Sequence, residues 1–269
     1  MKRTGYQEVG ILSPMERRVV AVCQHINERP GPKRLQGLYH RAIGMRWIEY
    51  CTRNLLDLRE FHHATELRPK HGVILCSNHR SFFDMYVIST ILRTRRVPWV
   101  RDMFFPVRSP FFYESWSGLA VNLAMGGGAM YPPIFRDPTK AELNKRSVER
   151  VVSFLQEPGV VVGMHPEGTR GKGDDPFELL PAQPGVGQMA LQARVDVLPI
   201  WINGLGNDIA GQLLANFRDG GRGADRIEVV FGEPVELDDL FDQQPRAALY
   251  KRAADRILDR IRVLGESTR

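Results

Sequence analysis

The chain has little cysteine: there are three residues among 269, and Cys23, Cys51 and Cys76 lie far apart with no CxxC pair. An odd, scattered set of thiols excludes a disulfide framework and speaks against a structural zinc site, and it points to reduced cysteines in a cytosolic setting. Long apolar runs are missing as well. No stretch attains the roughly 18 to 20 continuous apolar residues of a spanning helix. The nearest, Trp116 to Phe135, is uncharged but is broken by Gly126-Gly127-Gly128 and Pro132-Pro133. The first residues lack the apolar core of a signal peptide, and no internal repeat, low-complexity tract or long linker interrupts the chain. What remains is a soluble or peripheral globular protein, whose 43% hydrophobic content is enough to bury a sizeable core.

Acidic residues are sparse at the N-terminus. Residues 1 to 60 hold eleven Lys and Arg against six Asp and Glu, so they carry +5 of the formal +6. Such a surface meets something anionic, whether lipid headgroups, nucleic acid or an acidic protein. Between Leu35 and Leu58 the residues Ile43, Trp47, Tyr50, Cys51, Leu55 and Leu58 share one face at helical spacing, with Arg41, Arg46, Arg53 and Arg59 outside it. A helix of this kind packs on a core or lies in a membrane interface with its arginines reaching the headgroups. Residues 1–66 are therefore expected to form a basic helical segment that docks on a membrane or a carrier protein.

From about residue 67 to 269 short apolar runs alternate with amphipathic stretches, the pattern of an α/β domain. Strands are expected over Val73 to Cys76, Val97 to Val100, Val160 to Met164, Val197 to Ile202 and Ile227 to Phe231. Helices are expected over Lys140 to Gln156, opened by a Thr139/Glu142 capping box, and over Pro245 to Leu264.

Two polar clusters follow strands, where ligands gather in α/β sheets. The first, Ser77-Asn78-His79-Arg80-Ser81-Phe82-Phe83-Asp84, sets a histidine five residues before an aspartate. His79 can take a proton from an alcohol near neutral pH, and a carboxylate on its other nitrogen fixes the tautomer. Ser81 and Asp84 equally fit a helix cap. The second, His165-Pro166-Glu167-Gly168-Thr169-Arg170, offers an arginine able to grip phosphate and a glycine that lets backbone approach a ligand, or simply a turn.

Together the blocks Asn78-His79-x-x-x-x-Asp84 and Pro166-Glu167-Gly168-Thr169-Arg170, then the strand Val197-Leu198-Pro199-Ile200, resemble the glycerophospholipid acyltransferases typified by 1-acylglycerol-3-phosphate acyltransferase. The resemblance runs from about Leu67 to near Glu266 and includes Phe231-Gly232-Glu233-Pro234-Val235. It implies an α/β fold with a mixed, largely parallel sheet flanked by helices, preceded by a helical membrane-docking extension. It also implies transfer of a fatty acyl group from acyl-CoA or an acyl carrier protein to a lysophospholipid hydroxyl, most simply that of 1-acylglycerol 3-phosphate, in phospholipid biosynthesis. In that chemistry His79 is the general base and Asp84 its partner. Arg170, assisted by Arg136, holds the acceptor's anionic group; Asn78, Glu167, Gly168 and Thr169 complete the substrate site, with Glu167 orienting Arg170 or bonding a glycerol hydroxyl. Neither a metal nor a further cofactor is required, and Cys76 is expected to be a buried residue rather than a nucleophile.

Two positions depart from the family pattern. The block that usually reads Gly-x-x-Phe-Ile-x-Arg carries Pro132-Pro133 ahead of Arg136, and Gly171 replaces the usual hydroxyl residue after Arg170. Met103 to Phe112 and Trp116 to Tyr131 are rich enough in Phe, Met and Leu to line an acyl tunnel or to dip into a bilayer. Other readings remain: glycerol 3-phosphate or an amino-lipid as acceptor, a thioester hydrolase, or a lipid-binding protein without turnover. Nucleic acid is not expected, since the basic segment carries no reading motif. The expected location is peripheral, on the cytoplasmic face of a membrane.

Overall fold

The computed structural model describes residues 11–218 and 226–269. The chain begins with α1 (Pro14–Glu28), α2 (Pro30–Tyr39), a π-helical turn (His40–Gly44) and α3 (Arg46–Thr52). It continues through β1 (Leu56–Arg59), α4 (His62–Thr65), β2 (Val73–Ser77), α5 (Asp84–Thr94), β3 (Asp102–Phe104), β4 (Val107–Arg108), α6 (Ser109–Phe112), α7 (Trp116–Gly126) and β5 (Pro133–Ile134). A 3-10 turn (Pro138–Lys140) leads into α8 (Ala141–Leu155), followed by β6 (Val160–Met164), α9 (Pro184–Ala193) and β7 (Asp196–Asn203). The last elements are α10 (Ile209–Phe217), β8 (Ile227–Phe231), α11 (Asp238–Phe241) and α12 (Ala247–Glu266).

Six strands form the central sheet in the order β1-β8-β7-β2-β6-β3, and β4 pairs with β5 in a small second sheet. Every pair is parallel except β7 with β8. The central strands are continuous apolar runs because both faces are covered: β2 is buried throughout, and Val160 to Gly163 of β6 are buried too. Each such Val, Ile or Leu contributes about 1.5–3 kcal/mol by leaving water. Helices supply the covers through their periodicity. In α12 the buried residues Leu249, Ala253, Ile257, Leu258 and Ile261 make one stripe, which packs on α9 and β7. In α8 the stripe is Leu143, Val148, Val151 and Leu155. The expected fold class is thus observed, a largely parallel α/β sheet flanked by helices. Among the described residues no helix is long and apolar enough to cross a membrane.

Three local expectations are corrected. Val97 to Val100 form a turn, since Arg96 adopts a left-handed conformation (φ 54°) and the strand starts only at Asp102. The Thr139/Glu142 box is not formed; Asp137 accepts from the Thr139 N–H instead and caps the 3-10 turn. The helix read from Leu35 to Leu58 is interrupted by the π turn and ends at Thr52. Within residues 1–66, β1 is an edge strand of the central sheet and α3 packs on α5 and α10. The basic residues Lys2 and Arg3 lie outside the described residues.

Candidate active site

β7, β2 and β6 are parallel neighbours, so their carboxyl ends open on one edge of the sheet. The loops that follow them bring the two sequence clusters together. His79 Nδ1 stands 3.1 Å from Asp84 Oδ2. The same oxygen accepts the backbone N–H groups of Arg80 and Ser81, each at 2.8 Å. Asp84 is the first residue of α5, so a single carboxylate oxygen both orients the histidine and closes the helix start.

Burial sets the protonation of this pair. It pushes the Asp84 carboxyl from its ordinary 3.8 to about 6, against the backbone donors that favour ionisation. It also lowers His79 to about 4, helped by the positive charge of Arg170. Near neutral pH the pair is therefore a carboxylate and a neutral imidazole. Nδ1–H donates to Asp84, and Nε2 keeps its lone pair for the cavity that His79 lines.

His165 lies against the other side of this arrangement. Its ring stacks on His79 with centroids 3.8 Å apart and planes 4° from parallel. Its Nδ1 is 3.1 Å from the carbonyls of both Ser77 and Asn78, so it donates there. Burial, with His79 alongside, lowers it to about 3 and keeps it neutral. His79, Asp84 and His165 bring ligand-type atoms within 4.8 Å of one another. They do not suit a metal, because an ion must lie in the plane of each ligating imidazole and two parallel stacked rings share no such point.

The remaining residues of the two blocks divide into those that brace the site and those that face the cavity. Asn78 is fully buried and pairs with Ile202 of β7 through both its amide groups, at 2.8 and 2.9 Å. Glu167, 1% exposed, accepts the His79 N–H on one oxygen and the Leu180 N–H on the other, each at 2.8 Å. Its carboxylate thus fastens the His79 loop to the segment before α9 rather than orienting Arg170. Gly168 has φ 64°, and a Cβ there would come within 3.0 Å of Gln183 and 3.4 Å of the Arg108 guanidinium. Gly171, the departure from the family pattern, donates to the His79 carbonyl at 2.8 Å, and a Cβ there would sit 2.9 Å from the Arg80 guanidinium.

His79, Arg136, Gly168, Thr169 and Arg170 line one cavity of about 800 Å³. That size falls within the roughly 300–1,000 Å³ of small-molecule sites. Arg136 reaches it in spite of the prolines. Pro133 and Ile134 pair with Val107 and Arg108, and Asn144 holds Phe135 by two backbone bonds of 2.7 and 2.6 Å. Val107, Phe112, Ile134, Val148, Val186 and Met189 supply an apolar wall. Among the described residues no carboxylate lines the cavity, and Arg108, Arg136 and Arg170 form no ion pair.

Sequence reasoning missed Arg108, Asn207 and the place of His165. Asn207 Oδ1 accepts both the Arg170 guanidinium at 3.1 Å and the Phe82 N–H at 2.9 Å, which ties the two blocks together. Its position beyond the end of β7 was the available signal, as was that of His165 beyond β6. Arg108 gave none, because it joins the site only through the β4–β5 pairing.

Residues 59–203 match the Acyltransferase family. No curated protein sequence matches the chain at a significant level. Among solved structures the chain is similar to the 1-acyl-sn-glycerophosphate acyltransferase PlsC of Thermotoga maritima, with 13% identity, a TM-score of 0.46, and coverage of 96% of this chain and 84% of that one. The family match spans more than half of the sequence and contains both blocks, from Asn78 to Arg170, so the chain belongs to the Acyltransferase family.

Proposed function

We propose that the chain transfers a fatty acyl group from a thioester, acyl-CoA or acyl carrier protein, to the free hydroxyl of a lysophospholipid that bears a phosphate, with 1-acylglycerol 3-phosphate the best fit. One observation carries this reading: a neutral histidine held by a carboxylate, three arginines that have no acid partner among the described residues, and an apolar wall line the same cavity. A thioester is already activated, so the protein has to align the acceptor, remove its proton and stabilise the oxyanion. His79 Nε2 takes the hydroxyl proton as the acceptor oxygen bonds to the thioester carbonyl carbon. The tetrahedral intermediate collapses with cleavage of the C–S bond, and the departing thiolate takes the proton from the imidazolium. Asp84 stabilises that imidazolium while it lasts. Arg170, Arg136 and Arg108 suit a phosphomonoester, which carries up to two negative charges, better than a zwitterionic headgroup that needs an acid as well. The lipid substrate and the basic N-terminal surface together support a peripheral enzyme on the cytoplasmic face of an anionic membrane.

The test is acyl transfer by the purified protein with liposomes, a labelled acyl thioester and a panel of lysophospholipids and glycerol 3-phosphate, alongside His79→Ala. Acceptor-dependent product that the variant fails to make supports the reading, and the panel names the acceptor. Thioester hydrolysis indifferent to acceptor would replace it with a hydrolase.

A further inference from the structure

His165 opens the second polar block, and the reaction as written makes no use of it. β2 and β6 are in parallel register with Cys76 opposite Met164, so Ser77 and His165 are the next residues along the two strands. The His165 ring turns toward β2, where its Nδ1 lies 3.1 Å from the Ser77 and Asn78 carbonyls and 3.2 Å from Ser77 Oγ. Carbonyls only accept, so Nδ1 carries the hydrogen and the tautomer is fixed. Nε2 then holds a lone pair, and among the described residues it has no hydrogen-bond partner. Nothing in this bonding requires a ring, since a side-chain amide supplies the same N–H. What the ring adds is a face.

That face lies against His79. The His79 imidazole is tied to the protein at one atom, Nδ1, by the 3.1 Å bond to Asp84. Glu167 and Gly171 hold the His79 backbone on its N–H and its carbonyl, which fixes the chain but not the turn of the ring about that single bond. A parallel ring with its centroid 3.8 Å away and its plane 4° off blocks the turn on one side and leaves the other side to the cavity. The alignment matters, because a displacement of about 1 Å in a reacting group can cost on the order of 100-fold in rate.

The stack also bears on charge. When His79 takes a proton, its positive charge spreads over a ring stacked on the face of a neutral imidazole. The π face is the negative part of an aromatic ring, so the contact is attractive, and more so where water is excluded. Two charged rings at this distance would repel, and Asp84 bonds His79 rather than His165, so the proton settles on His79. Of the charged groups around the stack, Asp84 favours a proton there and Arg170 opposes it.

We propose that His165 is a positioning residue for acyl transfer: the face of its ring sets the plane of His79 and receives the positive charge that His79 gains with the acceptor's proton. The first clause stands on the geometry, and the second rests on the acyl-transfer reading. No bond to His165 forms or breaks. The hydroxyl proton passes to His79 Nε2 and from there to the departing thiolate.

The full-length wild type, His165→Phe and His165→Asn test this. The first variant keeps a ring to stack and loses the N–H; the second keeps an N–H where Nδ1 stands and loses the ring. His165→Phe leaves the Ser77 and Asn78 carbonyls without that donor, so it should melt a few degrees below wild type, while its kcat falls no more than about threefold. His165→Asn should melt as wild type does, with kcat lower by about 10–30-fold and the KM for acceptor and for thioester within about twofold. Nitrogen NMR of histidine-labelled protein, with His79 identified by its absence in His79→Ala, reads the ring without turnover. It should show one sharp Nδ1–H tautomer for His79 in wild type and His165→Phe, and a broadened, averaged signal in His165→Asn. Equal losses of kcat in the two variants would overturn the proposal, and so would wild-type turnover by His165→Asn. Should the wild type transfer no acyl group, the acyl-transfer reading falls with the second clause and the NMR decides the first: a His79 signal as sharp in His165→Asn as in wild type would overturn it.

Discussion

Asp84→Asn separates the two tasks of the carboxylate more cleanly than any other change in the site. All three donors, His79 Nδ1 and the N–H groups of Arg80 and Ser81, converge on Oδ2. Two of them are backbone groups that can only donate, so the carboxamide must place its oxygen there, and His79 keeps the tautomer with Nε2 free. What disappears is the negative charge. A unit charge about 4 Å from the imidazolium at an effective dielectric near 20 is worth about 4 kcal/mol, so kcat should fall roughly 10²–10³-fold. Stability should move the other way. The unfolded carboxyl loses its proton near 3.8 and the folded one near about 6. The folded state thus binds the extra proton between these values, and its stability declines as pH rises through that window. Above it the buried charge costs on the order of 3 kcal/mol, which the amide largely removes. The variant should melt higher than wild type at pH 8, by a few degrees, and should lose that advantage at pH 4. Thermal unfolding at both pH values and steady-state acyl transfer at pH 8 decide it. A loss of less than fivefold in kcat would show that the charge is not used in the reaction. A lower melting temperature at pH 8 would show that the three bonds to the ionised group outweigh its burial.

The wild-type pH profile should be flat from about pH 7 to 8. It should fall as pH drops through about 6, where Asp84 gains its proton, and further toward about 4, where His79 does; an acid limb beginning above pH 7 would contradict these assignments. Arg108→Ala, Arg136→Ala and Arg170→Ala should each raise the KM for a phosphorylated acceptor about 10–100-fold, the value of one charge-assisted hydrogen bond, with the thioester KM unaltered in the same titrations. Glu167→Gln turns one of the two carboxylate oxygens that accept backbone N–H groups into a donor facing an N–H, at His79 or Leu180. It should cost about 1–3 kcal/mol in denaturant unfolding and lower kcat while leaving acceptor KM within about twofold; a selective rise in acceptor KM would instead place the carboxylate on the substrate.

The parts of this fold that were legible in the sequence are those governed by burial over a few adjacent residues. β6 and β8 have the expected bounds, and β2 and β7 differ by a residue at their ends; β2 and β6, covered on both faces, read as unbroken apolar runs. Val97 to Val100 is also free of charge but contains Pro98 and follows Arg96, whose left-handed backbone turns the chain, while the true strand opens on the charged Asp102. The site divides similarly. His79 and Asp84 could be paired from sequence because five residues of loop and first helical turn settle their meeting. Arg108 could not, since its place depends on Val107 pairing with Pro133 in a two-residue strand.

Residues of the two family blocks also join loops to one another. Asn78 and Glu167 direct their polar atoms to backbone groups of Ile202, His79 and Leu180, and Asn207 joins Phe82 to Arg170. Three separate loops, after β2, β6 and β7, are thereby fixed to one another, through bonds that an unsatisfied buried partner would make costly to break. A general base needs this bracing more than it needs a stronger pKa. His79 is already neutral, and in the proposed reaction its rate advantage would depend on Nε2 meeting the acceptor hydroxyl within hydrogen-bond reach. Residues that brace these loops should therefore be as intolerant of change as those that line the cavity. The difference lies in the observable: loss of the arginines should appear in acceptor affinity, and loss of the braces in stability and turnover together.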